Sequence, residues 1–308
     1  MVAASVEARM KAVALSSFGD PSVLHLTRIP KPRPLPHEVL VRVHACGVNA
    51  IDTAARQGLG PAARHLTLPA VLGWEFAGTV EAVGHQAPRF RPGDYVYGLA
   101  GYPQHGGAYA EYLTVPAQHL AFKPTTLTHA DASTVPIDAL TALQALETLS
   151  MPAGHSLLLH PGNCRISTFA GHLARRRHVI VTDELDTSSP VDGVILIGTH
   201  DNLDVLKRLK PAGHHLMIFP FLGMMLVDGQ TPRPQVHPSG LQLERLTYLI
   251  EQGHLPVPPA DLFTFQDAVH AHRQCGQSGM LKCAALLPRH DDSDHASSRP
   301  ASRRPRLA

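Results

Sequence analysis

Apolar positions divide this chain into two halves with different rhythms. In the first half, residues 10–19 (MKAVALSSFG), 38–45 (EVLVRVHA) and 76–83 (FAGTVEAV) are apolar runs or alternations of strand length, punctuated by Gly and Pro. RPGDYVYG at 91–98 reads as a turn feeding a short strand, and AYAEYLTV at 108–115 alternates like another. IPKPRPLPHE at 29–38 carries four prolines, which excludes a helix or a central strand and predicts an extended surface crossing. Between 128 and 150 the spacing becomes helical with an interruption at Pro136, so it predicts two helices or one kinked helix. From Ser156 onward, short apolar runs alternate with amphipathic stretches: SLLLHP, TFAGHLARRR, HVIVTD, VDGVILIG, NLDVLKRLK and HHLMIFP. That alternation predicts a parallel sheet with helices on its faces. Residues 261–288 add a strand (DLFTF), a helix (QDAVHAHRQC) and a strand (KCAALLP) that complete one domain or the other. The division is an extension 1–9, a β-rich domain 10–127, a Rossmann-like domain 128–260, the segment 261–288, and a tail 289–308. The tail's near lack of large apolar residues predicts disorder.

Composition narrows the classes. The 308 residues are 44 % hydrophobic, enough for two domains with cores of their own. A formal net charge of +2 is too small to predict a nucleic-acid or membrane surface as partner, and no stretch approaches the ~18 consecutive apolar residues of a spanning helix. The first nine residues, MVAASVEAR, lack the basic start and apolar run of a secretion signal, which predicts a cytoplasmic protein. Cys46, Cys164, Cys275 and Cys283 form no C-x-x-C pair and read as buried or free thiols. The 21 histidines invite a metal site, but the closest helical pair, His270 and His272, stands at i,i+2 and points its rings to different sides of a helix.

The chemistry turns on residues 157–174, LLLHPGNCRISTFAGHLA, which have the strand, turn and helix pattern of a dinucleotide site. Such turns are rich in glycine. One glycine permits the tight bend, another lets the backbone approach the pyrophosphate, and a third lets helix and strand pack closely. Here the turn reads Pro161, Gly162, Asn163, Cys164, Arg165, Ile166, Ser167, and only Gly162 remains. Pro161 removes a backbone donor, while Arg165 and Ile166 add bulk where phosphate oxygens lie. Arg165 instead offers its charge to the phosphate, with Gly162 and Asn163 beside it. If HVIVTD is the second strand of the sheet, Asp183 stands where an acidic residue holds the adenine ribose hydroxyls; if it is the third, Asp183 has no such role.

Five segments together carry a family resemblance: GVNAIDTAARQG (47–58), LGWEFAGTVEAVG (72–84), RPGDYVYG (91–98), GGAYAEYLTVPAQHLAFKP (106–124) and ALTALQALE (139–147). From about Met10 to about Pro288 the chain resembles a medium-chain dehydrogenase/reductase of the zinc-free, zeta-crystallin-like quinone oxidoreductase group. The resemblance implies an α/β protein with a GroES-like catalytic domain, a Rossmann-like nucleotide-binding domain, and a C-terminal segment, 261–288, that returns to the first domain. It also implies hydride transfer from NADPH or NADH to a quinone or an activated carbon–carbon double bond, and a possible homodimer. Measured against the family, the distance from His160 to Val191 is about half the usual one, so one βα unit of roughly 20–30 residues is missing.

The resemblance assigns candidate residues. In the alcohol-dehydrogenase branch, the positions of Asn49 and Trp74 hold zinc ligands; an amide oxygen is a poor zinc donor and an indole offers no lone pair, which predicts no metal. Trp74 is then placed in the wall of the substrate cleft. Asn49 and Asp52 match a G-V-N-x-x-D signature at the cleft, and Asn49 can donate its amide to a developing oxyanion. The alternatives are that Asn49 tolerates a special backbone conformation and Asp52 caps a helix starting near Thr53. Thr141 aligns with a threonine that touches the nicotinamide, or else bonds its own helix backbone. Asp138, where relatives carry a small or apolar residue, is an acid or base in an apolar cleft or a solvated helix cap. Three functions follow: a zinc-independent NAD(P)H oxidoreductase acting on a small-molecule quinone or enone, a cofactor-independent isomerase or cyclase reusing the cleft, or a non-catalytic relative that binds a small molecule or a protein.

Overall fold

The computed structural model describes residues 8–104, 106–182, 189–198, 200–221, 223–227, 233–277 and 284–288. The β-rich half contains β1 (Arg9–Leu15), β2 (Leu24–Pro30), β3 (Glu38–Val48), the helices α1 (Ala50–Arg56) and α2 (Gly60–Ala63), β4 (Ala70–Val71), β5 (Glu75–Val83), β6 (Tyr95–Leu99), β7 (Tyr112–Pro116) and β8 (Leu120–Phe122). The second half contains α3 (His129–Ser133), α4 (Pro136–Leu149), β9 (Ser156–His160), α5 (Arg165–Arg176), β10 (Ile180–Thr182), β11 (Val191–Ile197), β12 (Leu209–Phe219), β13 (Met224–Val227), β14 (Arg233–Pro234) and α6 (Gly240–Glu251). The chain then adds β15 (Asp261–Thr264), α7 (Ala268–Gln277) and β16 (Ala284–Leu287).

Three sheets result. β1 lies between β2 and β4 in a small antiparallel sheet, with the proline-bearing β2 at its edge, where a missing N–H costs no ladder bond. The main sheet of the first domain runs β15-β16-β3-β5-β6-β8, with β7 also paired to β3. β3 and β5 approach so closely that a Cβ on Gly78 would strike the Arg42 carbonyl, so only glycine fits there. Residues 284–286 pair antiparallel with 46–48, which joins the C-terminal segment to the first domain's sheet. The third sheet has the order β10-β9-β11-β12-β13-β14, parallel from β10 to β12 and antiparallel beyond. HVIVTD therefore supplies a strand directly beside β9, in the second position of a Rossmann order. The fold is thus α/β, a β-rich domain joined to a parallel-sheet domain.

The interruption at Pro136 separates two helices: Pro136 occupies the first turn of α4, where its missing N–H needs no partner. α4 is buried from Pro136 to Leu146 and runs through the middle of a core that continues from one domain into the other. NLDVLKRLK, expected as an amphipathic helix, forms only 3-10 turns over His200–Arg208 before β12 begins at Leu209. Its apolar side chains Val205 and Leu206 pack on a separate small core, with Leu158, Val194 and Leu196 on the other face of the parallel sheet.

Candidate active site at the domain junction

The segment after β3 turns at Asn49, whose backbone is extended (φ −120°, ψ 167°), into α1. Asn49 and Asp52 form a capping box: Asn49 Oδ1 accepts from the Ile51 N–H, and Asp52 Oδ2 accepts from the Asn49 N–H at 2.9 Å. The other oxygen of Asp52 accepts from the Gly73 N–H at 3.1 Å, and the Tyr109 hydroxyl bonds the same carboxyl. Tyr109 in turn meets His272 Nε2 at 3.1 Å, and Arg56 Nε donates to His272 Nδ1 at 3.4 Å. Because Arg56 can only donate, the neutral imidazole carries its proton on Nε2, and the chain of donors runs Arg56, His272, Tyr109, Asp52. Burial, helped by the Arg56 charge, pushes the His272 pKa down to about 3, and burial pushes that of Asp52 up to about 7 against the pull of its hydrogen bonds. Asp52 is fully enclosed.

Across the junction Asn49 Nδ2 donates to Asp138 Oδ1 at 3.3 Å, and Arg165 Nε donates to Asp138 Oδ2 at 2.9 Å. Arg165 Nη2 also donates to the Thr134 carbonyl at 2.8 Å. This ion pair is sealed, with side-chain exposures of 2 % for Arg165 and 9 % for Asp138. Glu75, wholly buried beside it, reaches from the first domain to accept from the Ile137 N–H at 2.9 Å in the first turn of α4. Burial first, then the Asp138 charge, raise the Glu75 pKa well above the ordinary carboxylate range, and its Oε1 has no hydrogen-bond partner. Burial and the neighbouring Asp138 thus both disfavour the charged form of Glu75.

The structure relocates several expected site residues. Trp74, expected in the cleft wall, lies in the loop that enters β5, completely enclosed and packed edge-on against Tyr102. Arg165, expected at the phosphate, turns away from its turn toward Asp138, which a buried guanidinium needs as counter-ion. Asp138 is neither a free acid nor a solvated cap. Asn49 has no special backbone conformation, and the helix Asp52 caps begins at Ala50, three residues before the expected Thr53. Thr141, expected at the nicotinamide, is buried and accepts a bond from Gln235 Nε2 at 3.2 Å. Gly162 and Asn163 are exposed at the mouth of a cavity, and Asp183 lies outside the described residues, as does Cys283. Glu75, Tyr109 and Tyr102 were not singled out beforehand, and His272 was weighed only as one of a histidine pair for a metal; the one local signal was Glu75, a carboxylate set in the otherwise apolar run WEFAG.

The cavity has a volume of about 550 Å³ and opens beyond the ends of β9 and β10. Its floor is Leu159, Val181 and Thr182; one face of α5 supplies Ser167, Thr168, Gly171, His172 and Arg175. These positions recur at helical spacing, so they line one wall. The volume suits a mononucleotide-sized ligand. Toward the other end of the sheet the space is taken by the protein itself: the Tyr102 hydroxyl donates to the Gly223 carbonyl at 2.8 Å, alongside the Thr141–Gln235 bond. The residues present therefore fit a mononucleotide-sized group at the cavity, and the Tyr102–Gly223 bond holds the two domains together. Among the described residues, no three His, Cys, Asp or Glu side chains gather as metal ligands, and no helix is long and apolar enough to cross a membrane.

Residues 35–125 match the alcohol dehydrogenase GroES-like domain. A human quinone oxidoreductase is 34 % identical over 195 residues, covering 62 % of this chain and 57 % of that protein. One from Pseudomonas aeruginosa is 36 % identical over 166 residues, covering 54 % and 49 % respectively. The chain thus matches only about half the length of these curated relatives. The structure of the quinone oxidoreductase from Coxiella burnetii superposes with a TM-score of 0.75 at 24 % identity, over 92 % of this chain and 100 % of that one. With the β-rich half, the parallel sheet and the junction between them in view, the chain carries a GroES-like domain over residues 35–125 and is similar to quinone oxidoreductases in sequence and fold.

Proposed function

We propose that this protein is a zinc-independent NAD(P)H oxidoreductase that acts on a small molecule of the quinone or α,β-unsaturated carbonyl class. The observation that carries this reading is the cavity at the β9–α5 turn, which lies outside the carboxyl ends of parallel strands where nucleotides bind in open α/β sheets. The relatives' activity points the same way. Zinc independence rests on Asn49 and Trp74, neither of which offers a zinc-binding atom.

When bound, the reduced nicotinamide supplies hydride. The chain's own residues bind and orient: Gly162 and Asn163 border the phosphate end of the cavity, and Thr182 borders its strand side. Asn49 Nδ2 gives one N–H to Asp138, and its second N–H is the donor offered to a carbonyl oxygen and to the enolate that forms there. Solvent supplies the proton that balances the hydride. The test is a titration with NADPH and with NADH, followed by cofactor oxidation across a series of quinones and enones. Saturable binding with acceptor-dependent oxidation supports the reading, and Asn49→Ala then lowers kcat with little change in KM. A second reading, a nucleotide-binding relative without hydride transfer, is favoured by the Tyr102–Gly223 bond across the junction and the Thr141–Gln235 bond within the second domain; binding without oxidation by any acceptor selects it.

A further inference from the structure

We propose that Asp138 is a built-in competitor for a nucleotide's phosphate: Arg165 rests on Asp138 and passes to the diphosphate of an adenine nucleotide when the β9–α5 cavity fills. The inference rests on the nucleotide cavity of the preceding reading but not on hydride transfer.

Two oddities of the sequence, an arginine in a turn that should be glycine and a carboxylate where an apolar residue is expected, prove to be partners on different helices. Arg165 is the first residue of α5, and the residues on both sides of it, Asn163, Ser167 and Thr168, line the cavity. Arg165 does not itself line the cavity, but its backbone lies between residues that do, so a change of rotamer is what carries its guanidinium to a diphosphate there. Two residues of that turn, Pro161 and Ser167, have no donor to spare. Ser167 N–H points to Cys164 Sγ at 3.4 Å and Ser167 Oγ donates to the Pro161 carbonyl at 2.6 Å, while Pro161 has no N–H. The remaining basic groups of the cavity wall, His172 and Arg175, sit two to three turns further along α5. A phosphate at the turn therefore finds its charge partner in Arg165.

The exchange also leaves Asp138 supported. Asp138 lies in the first turn of α4, where the positive end of the helix favours a carboxylate, and Asn49 Nδ2 stays on its other oxygen. The pair is accordingly a resting state whose breaking weakens nucleotide binding, and a neutral residue at 138 should remove the competition.

The experiment is calorimetric titration of ADP and of NADH into the full chain and into Asp138→Asn, Arg165→Met and the double variant, each first shown to unfold cooperatively in urea. ADP carries the diphosphate without the nicotinamide, so it isolates the phosphate step. Asp138→Asn should bind ADP and NADH about tenfold more tightly, the size of one charge-assisted contact released. The double variant should lose that gain, because the ligand arginine has gone. Unchanged affinity in Asp138→Asn overturns the proposal, and so does a gain that survives in the double variant. If none of the four proteins binds ADP or NADH, both the proposal and the reductase reading fall. If Asp138→Asn gains ADP affinity while no protein oxidises NADH or NADPH with any acceptor, the exchange stands and the reductase reading alone is rejected.

Discussion

Around Asp52 and around Arg165 this protein buries a charged residue in two different ways. Asp52 is met by N–H and O–H donors from its own domain, at Asn49, Gly73 and Tyr109, with no cation in direct contact. Arg165 is met by a carboxylate from another helix, which is itself held by Asn49 from the other domain. Fixed backbone donors cannot leave, so the first arrangement is a permanent brace that ties α1, the entry to β5 and α7 together. A side-chain counter-ion can be exchanged for another anion, so the second is capable of responding to a ligand. In the first domain the G-V-N-x-x-D segment caps α1, while in the second the glycine-poor turn borders a cavity.

The largest effect expected from breaking this contrast is at Arg165. Arg165→Met alone leaves Asp138 buried without its counter-ion and should cost about 3–5 kcal/mol, whereas the double variant Arg165→Met, Asp138→Leu should recover most of it. Urea denaturation followed by Trp74, the single and fully buried tryptophan, reads the difference. A loss below about 1 kcal/mol for the single variant would mean that the pair does not hold the junction.

Next in size is the pH dependence of Asp52. Its pKa rises from 3.8 in the unfolded chain to about 7 in the folded one, so between those values the folded state holds the extra proton. Stability therefore falls as pH rises through this window, by up to about 1.4 kcal/mol per pH unit, and the cost is complete above pH about 7. Glu75 is shifted in the same direction. Asp52→Asn, which removes the titrating group, should flatten the slope; a slope unchanged in that variant would assign it elsewhere.

Tyr102→Phe removes the hydroxyl that reaches the Gly223 carbonyl across the junction and should cost about 1 kcal/mol in the same urea assay. If the junction must part for a nicotinamide, the variant should also bind NADH slightly better relative to ADP. The smallest effect is expected for Asn163→Ala, exposed at the rim of the cavity: stability within about 0.5 kcal/mol of the parent, with a loss of ADP affinity of about two- to threefold. Equal affinity would move the phosphate away from that rim.

Most of the fold was legible along the chain because apolar period and proline position are local signals. The break at Pro136, the parallel alternation after Ser156 and the strands of the first domain all rest on such signals. NLDVLKRLK was misjudged because its period is helical, yet the short span between β11 and β12 closes with 3-10 turns. The site was less legible. The residues Asn49, Asp52, Asp138 and Arg165 could each be picked from the sequence, but Trp74 could not be placed inside rather than at a cleft, since an aromatic in a strand reads the same on either face.

What the sequence alone determined is the architecture and the cast of residues, because periodicity, prolines and motif order act over a few neighbouring positions. What only the tertiary structure decided is who meets whom. Arg165 and Asp138 are 27 positions apart, Asn49 and Asp138 are 89, and Tyr109 and His272 are 163. Whether a charged side chain faces a ligand or a counter-ion depends on the packing of separate elements, and no local pattern encodes it.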